Sequence, residues 1–135
     1  MLFRSNYNEI AIEAVIPAPK GTAFGGYLKL ERRVGDFATA SVAVGLDVQG
    51  GIITRAGVAL GGVGGETIYV GDAPGILVGK ALTPELIAQV AKAAAADAKP
   101  KSDHRGSAEY KRHIVSVFVS RILTNVLGQV AKKAA

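Results

Sequence analysis

Lys29-Leu30-Glu31-Arg32-Arg33-Val34-Gly35-Asp36-Phe37-Ala38-Thr39-Ala40 lies between two runs that both read as strands, and the way it joins them decides the fold. From Tyr27 to Arg32, Leu28 and Leu30 fall on one face and Lys29 and Glu31 on the other, the period of two that marks a half-buried strand. Arg32 and Arg33 break the alternation. Val34-Gly35-Asp36 then reads as a turn, because glycine enters positive φ freely and an aspartate accepts from the backbone that follows it. The chain resumes as a strand in which Val42, Val44, Leu46 and Val48 recur at every second position between Ala43, Gly45 and Asp47. Gln49-Gly50-Gly51 has the composition of a hairpin turn and leads into a third strand, Ile52 to Leu60. The predicted core is therefore an antiparallel meander. Its first loop carries a lysine, two arginines, an aspartate and an aromatic to one end of the sheet, and the residues alone support a solvated charged turn there.

Outward from the meander, Ile10, Ile12, Ala14 and Ile16 alternate with Glu9, Ala11, Glu13 and Val15, which predicts a strand that Pro17 ends by removing a backbone donor. Pro17-Ala18-Pro19-Lys20-Gly21-Thr22 reads as a connector of the kind found at domain boundaries. On the other side, Gly61-Gly62-Val63-Gly64-Gly65 has the glycine density of a phosphate cradle. No Lys-Ser/Thr pair follows it, as a Walker loop requires, and no clear helix opens behind it, so it reads as a structural turn. Glu66 to Val70 reads as a short extended piece, and Pro74 and Gly75 leave a single helical turn at Ile76 to Val78.

Thr83-Pro84-Glu85 is a helix start: threonine as N-cap, proline in the first turn and an acid at the positive end. Leu86, Ile87, Val90 and Ala94 give that helix, Pro84 to Asp97, an apolar stripe. Ser107 is placed to cap a last helix from Ala108 to Gly128, whose stripe includes Ile114, Phe118, Ile122, Leu123 and Val126, and Ala131 to Ala135 is expected to fray. The fold class is α+β, a small antiparallel sheet of three or four strands packed on a helical layer.

Composition narrows the function. A chain of 135 residues makes one domain by length and buries a core without help from a metal or a disulfide. It has no cysteine, hence no thiolate metal site and no iron-sulfur cluster of its own, which suits a reducing cytoplasm. A net charge of +5 invites nucleic acid, but the charges are scattered, tryptophan is absent and aromatics are only 6%, so neither a phosphate stripe nor a stacking platform stands out. No uninterrupted apolar run approaches the roughly 20 residues that span a bilayer, so a soluble protein with no membrane span is expected. His104 and His113 make no metal-ligand pair with nearby carboxylates, and no Gly-x-Ser-x-Gly elbow occurs. Nothing here stands as an independent catalytic constellation.

Lys29 to Ala40 resembles the segment that opens the C-terminal domain of the FAD-binding medium subunit of molybdenum hydroxylases, the carbon monoxide dehydrogenase and xanthine dehydrogenase family. Ser102-Asp103-His104-Arg105-Gly106-Ser107-Ala108-Glu109-Tyr110-Lys111-Arg112-His113 resembles the same subunit's C-terminal motif, at the expected separation. The resemblance extends from about Asn8 onward and takes in Ile16-Pro17-Ala18-Pro19 and Ala59-Leu60-Gly61-Gly62-Val63-Gly64. It implies that residues 1–22 are an artefactual start followed by the last strand and connector of a missing FAD-binding domain, and that residues 23–135 are the flavoprotein C-terminal domain. It implies FAD, bound mostly by that missing domain, with 2Fe-2S clusters on a small partner subunit and the molybdenum cofactor on a large one.

Lys29, Asp36 and Phe37 are the positions it points to as flavin-facing. Phe37 would offer an apolar plane to the ring and Lys29 a positive charge to its polar edge, while Asp36 would contact the cofactor or anchor the turn by pairing with Arg32 or Arg33. Arg105, Glu109, Lys111 and Arg112 are expected to make capping and ion-pair contacts that fix the last helix. The isolated chain would be inactive, with the substrate chosen by the molybdenum subunit. A non-catalytic subunit-assembly domain and a basic nucleic-acid-binding module are the other classes.

Overall fold

The computed structural model describes residues 7–10, 12–19 and 21–134. Strands β1 (Thr22–Leu30), β2 (Ala40–Gln49), β3 (Ile52–Gly61) and β4 (Ile68–Tyr69) form one antiparallel sheet in chain order. Helices α1 (Ala73–Leu77), α2 (Pro84–Asp97) and α3 (Ala108–Ala134) follow, and the helical layer lies on one face of the sheet.

The alternation in β2 sets the layering. Val42, Val44, Leu46 and Val48 all turn to the helices and are buried, and the register brings Leu60, Val58, Ala56 and Ile53 of β3 beside them on the same face. Gly50 and Gly51 turn the hairpin with φ of 57° and 79°, the pair of positive values that a two-residue turn matched to sheet twist demands. A bulge follows at once, between Asp47 and Val48, where β3 carries Thr54 as an extra residue. β1 begins earlier than its alternation indicates, at Thr22 rather than Tyr27, because Gly25 and Gly26 pair with Gly45 and Val44 instead of breaking the strand. Gly26 also lets α3 come close, since a Cβ there would stand 3.0 Å from Ile122 Cγ2.

α2 spans the residues expected of it, Pro84–Asp97. Thr83 Oγ1 accepts from the Leu86 N–H at 3.4 Å, and Ala91 and Ala94 let the helix lie close to its neighbours. α1 does not wait for Ile76: it runs Ala73–Leu77 and takes in Pro74 and Gly75, because a proline in the first turn gives up no intrahelical bond, and it packs on β3 and α2. α3 starts under the Ser107 cap, whose Oγ accepts from the Tyr110 N–H at 3.1 Å. It does not stop at Gly128 or fray at Ala131. It continues through Ala134, helped by Lys133 Nζ donating to Thr22 Oγ1 at 3.1 Å. α3 has the length and composition to cross a membrane, with a mean hydropathy of 1.6 in its most apolar window. Here Val115, Val119, Leu123 and Val126 are buried in the core while Arg112, Arg121, Asn125 and Gln129 lie exposed, the two-faced pattern of a helix on a sheet.

The expected strand over Ile10 to Ile16 does not form among the described residues. Ile10, Ile12 and Ile16 are 87%, 90% and 89% exposed, because a strand needs a ladder partner and a covered face, and this chain gives that segment neither. The start at Met1 to Ser5 lies outside the described residues. The opposite face of the sheet, away from the helices, is tiled with Ala43, Gly45, Gly57 and Ala59 and forms an open concavity of about 660 Å³. Tyr27 and Tyr69, both 59% exposed, flank it.

Leu60→Ala, which empties a fully buried position, is expected to cost about 2–5 kcal/mol in urea denaturation. Ala43→Ser, on the uncovered face, is expected to stay within about 0.5 kcal/mol of the parent in the same titration.

Candidate functional site

The first loop of the meander is closed at its base and held at its tip. At the base the Thr39 N–H donates to Leu30 O at 2.8 Å, directly continuing the β1–β2 ladder. Further out, the Asp36 N–H donates to Arg33 O at 3.0 Å across Val34 and Gly35, and Gly35 takes a φ of 85°, so the tip is a tight turn that needs glycine at its third position. Asp36 Oδ1 then accepts from the Phe37 N–H at 2.7 Å, the local aspartate-to-backbone bond that the residue type favours. The second glycine-rich stretch supports the loop from below. Gly62 has a φ of 74°, and a Cβ there would meet Ala38 O at 2.7 Å, so glycine at that position is what lets the two turns touch.

The structure brings Asp36 and Phe37 together on this loop and leaves Lys29 at its foot. Phe37 is 82% exposed, a flat apolar ring presented to solvent from a backbone that is hydrogen-bonded on both sides. Lys29 stands in the strand on the uncovered face, and its Nζ meets Glu31 Oε2 at 2.5 Å, a contact of charge rather than of well-directed hydrogen bonding. Its positive charge is therefore already answered within the chain. Asp36 does not pair with Arg32 or Arg33. It pairs with Arg105, whose Nη2 lies 3.2 Å from Asp36 Oδ1 while Nη1 donates to Phe37 O at 2.9 Å. Arg32 and Arg33 sit at the exposed tip instead, because the turn that Gly35 makes carries them away from the carboxylate.

Arg105 is thus the member of the site that sequence reading missed. Its expected role was to fix the last helix, whereas its guanidinium crosses 68 residues of chain to grip the Phe37 carbonyl. Lys111 and Arg112 of the C-terminal motif do make contacts at the helix start. Arg112 Nε donates to Ala98 O at 3.3 Å, tying α3 to the end of α2, and Lys111 Nζ pairs with Asp103 Oδ2 at 2.7 Å. His104 and His113 are both exposed.

Residues 26–126 match the CO dehydrogenase flavoprotein C-terminal domain family. The chain belongs to that family. The carbon monoxide dehydrogenase medium chain of Hydrogenophaga pseudoflava is 36% identical over 117 residues, a span covering 86% of this chain and 40% of the relative. The glyceraldehyde dehydrogenase medium chain of Sulfolobus acidocaldarius is 31% identical over 122 residues, covering 90% of this chain and 43% of the relative. Among solved structures, carbon monoxide dehydrogenase from Hydrogenophaga pseudoflava superposes with a TM-score of 0.75 at 36% identity, over 81% of this chain and 38% of that one. Quinoline 2-oxidoreductase from Pseudomonas putida 86 superposes with a TM-score of 0.73 at 29% identity, over 85% and 40% of the two chains. The chain therefore spans roughly two-fifths of the length of the curated relatives it matches. The meander and helical layer are the family's fold.

The Asp103 carboxyl is held below the usual aspartate range, first by the hydrogen bond from the Lys111 ammonium and then by the Arg105 backbone N–H. A carboxyl depressed in the folded state stabilises fully above its unfolded value of about 3.9. That stabilisation is lost as pH falls through the depressed folded value. Parent and Asp103→Asn are therefore expected to differ in urea midpoint at neutral pH and to converge as the titration is repeated at increasingly acid pH.

Proposed function

We propose that residues 23–135 form one wall of the flavin site of a molybdenum-hydroxylase medium subunit, with Phe37 as the surface turned to the FAD ring. One observation carries this reading: a large aromatic side chain is held 82% exposed on a loop whose backbone is pinned at Asp36, Phe37 and Thr39, at one end of the sheet. Exposing a flat apolar face costs free energy unless something covers it, and fixing the backbone beneath it costs entropy besides. A planar ring system is a cover that such a surface fits. Asp36, already committed to the Phe37 amide and to Arg105, serves the loop rather than the cofactor. Lys29 contributes only what remains of its field after Glu31 has answered it. Within the described residues no glycine-rich turn opens a long helix to cradle a diphosphate, so this domain's residues fit the ring end of FAD and not its phosphates.

Residues 1–22, in this reading, belong with a separate FAD-binding domain that supplies most of the cofactor contacts. FAD supplies the redox chemistry, passing electrons from iron-sulfur centres to an external acceptor. The residues of this chain orient the ring and keep water from one side of it. The partners are a small subunit with 2Fe-2S clusters and a large subunit with the molybdenum cofactor, in the cytoplasm, and the large subunit selects the substrate. A non-catalytic assembly domain is the second reading, favoured by the uncovered Gly and Ala face between Tyr27 and Tyr69.

In an assembled, FAD-loaded subunit, Phe37→Ala is expected to change the rate of flavin reoxidation, followed by stopped-flow absorbance, more than it changes the FAD content. Reoxidation and spectra identical to the parent would put the assembly reading ahead. The 135-residue chain alone is expected to leave gel filtration without bound FAD; a stoichiometric yellow protein would show that the domain holds the cofactor by itself.

A further inference from the structure

A polar chain of contacts runs from inside the helical layer to the Phe37 loop, and its innermost member is a lysine. Lys111 lies in the first turn of α3 and is 3% exposed. Two things make that position unfavourable for it. Burial strips water from an ammonium, which then needs compensating partners. The first turn of a helix is also its positive end, where a cation is disfavoured. The compensation is specific: Nζ donates to Asp103 Oδ2 at 2.7 Å and to Lys101 O at 2.9 Å.

The next link is Asp103. Its second carboxylate oxygen, Oδ1, accepts from the Arg105 N–H at 2.9 Å, and its backbone exchanges two hydrogen bonds with Gly106, each 3.1 Å. Gly106 takes a φ of 150°, and a Cβ there would stand 2.9 Å from Tyr110 Cδ1, so the turn closes tightly onto α3. Ser102 Oγ accepts from the Ala108 N–H at 2.9 Å and ties the front of the turn to the helix start. The turn is thereby fixed to α3 on both sides, which aims Arg105 away from the helix. Its guanidinium ends on Asp36 Oδ1 and Phe37 O.

We propose that Lys111, Asp103 and Arg105 are positioning residues of the Phe37 site, a latch through which the buried end of α3 sets the placement of the aromatic ring. Lys111 orients Asp103, Asp103 orients the Arg105 backbone, and the two-pronged guanidinium holds the loop at a side-chain oxygen and a main-chain oxygen together, a geometry that a lysine ammonium does not reproduce. The latch stands on this geometry alone; its consequence for a flavin rests on the reading of Phe37 given above.

The test uses the 135-residue chain labelled with fluorophenylalanine and read by fluorine NMR. The Phe37 resonance is assigned by its disappearance in Phe37→Leu, and Phe24 and Phe118, which pack on the core, serve as references. Arg105→Lys keeps the charge and loses the fork; it is expected to shift and narrow the Phe37 line while the reference lines stay put. Lys111→Met, remote from the ring, is expected to move the same line in the same direction, with Asp103→Asn used in its place where the methionine variant does not fold. An unmoved Phe37 line in Arg105→Lys and Asp103→Asn overturns the latch, and so do reference lines that move as far as Phe37, since that reports general loosening. In the assembled FAD-loaded subunit, Asp103→Asn is expected to change reoxidation in the same sense as Phe37→Ala at unchanged FAD content. A Phe37 line that moves while reoxidation does not would keep the latch and overturn its link to the flavin.

Discussion

β2 has a neighbour on both edges and a fully buried valine and leucine face, and every other element takes its place from that strand. Its side chains Val42, Val44, Leu46 and Val48 cannot slip by one residue without turning the whole apolar row to the side that carries Ala43, Gly45 and Asp47. Register is therefore fixed along its length. A fixed register at Ala40 and Leu30 means that the loop between β1 and β2 leaves the sheet at one defined point, and only then is it meaningful for Arg105 to hold that loop from outside.

The two faces of this strand are asymmetric in chemistry as well as in burial. Toward the helices the side chains are branched and large and pack against the apolar stripe of α3, with α2 packed in turn on α3. Away from them they are small, so the sheet backbone lies close to the surface and the two exposed tyrosines and Arg55, 3.0 Å from Asp47, stand out in relief. Asp47 is buried on that otherwise open side because Arg55 folds over it.

Much of this was legible from residue order, because the signals are local. The alternation from Val42 to Val48, the Gly50-Gly51 turn and the Thr83-Pro84-Glu85 helix start each act within a few residues, and β2, β3 and α2 lie where those signals place them. The failures are of two kinds. The alternation from Ile10 to Ile16 is a genuine strand pattern, but pattern states only which face wants cover; it does not supply the neighbouring strand. The end of α3 was missed because Gly128 weakens a helix by only about 1 kcal/mol, which the packing of Val126 before it and Val130 after it outweighs.

In the candidate site the exposed Phe37 and the turn-forming Gly35 and Asp36 were readable, while the partner of Asp36 was not. Arg32 and Arg33 are nearer in sequence, yet the carboxylate goes to Arg105, since a rigid turn fixes direction and sequence proximity does not. The burial of Lys111 was likewise hidden. An ion-pair contact was expected of Lys111, but only the packing of Asp103 against the helix start shows that the pair turns the lysine inward.

The order of the strands also says something about how the molecule assembles in time. Each strand pairs with the one before it in sequence, so the sheet closes through short loops, whose entropy cost is small and whose formation is fast. Two closures are different in kind: α3 returning across nearly the whole chain to lie on β1, and the grip of Arg105 on a loop 68 residues upstream. Folding speed is thus governed by the docking of the last helix rather than by the hairpins. Until α3 docks on β1 and β2, the valine row of β2 lacks that cover, and this interval is when the molecule is most exposed to self-association.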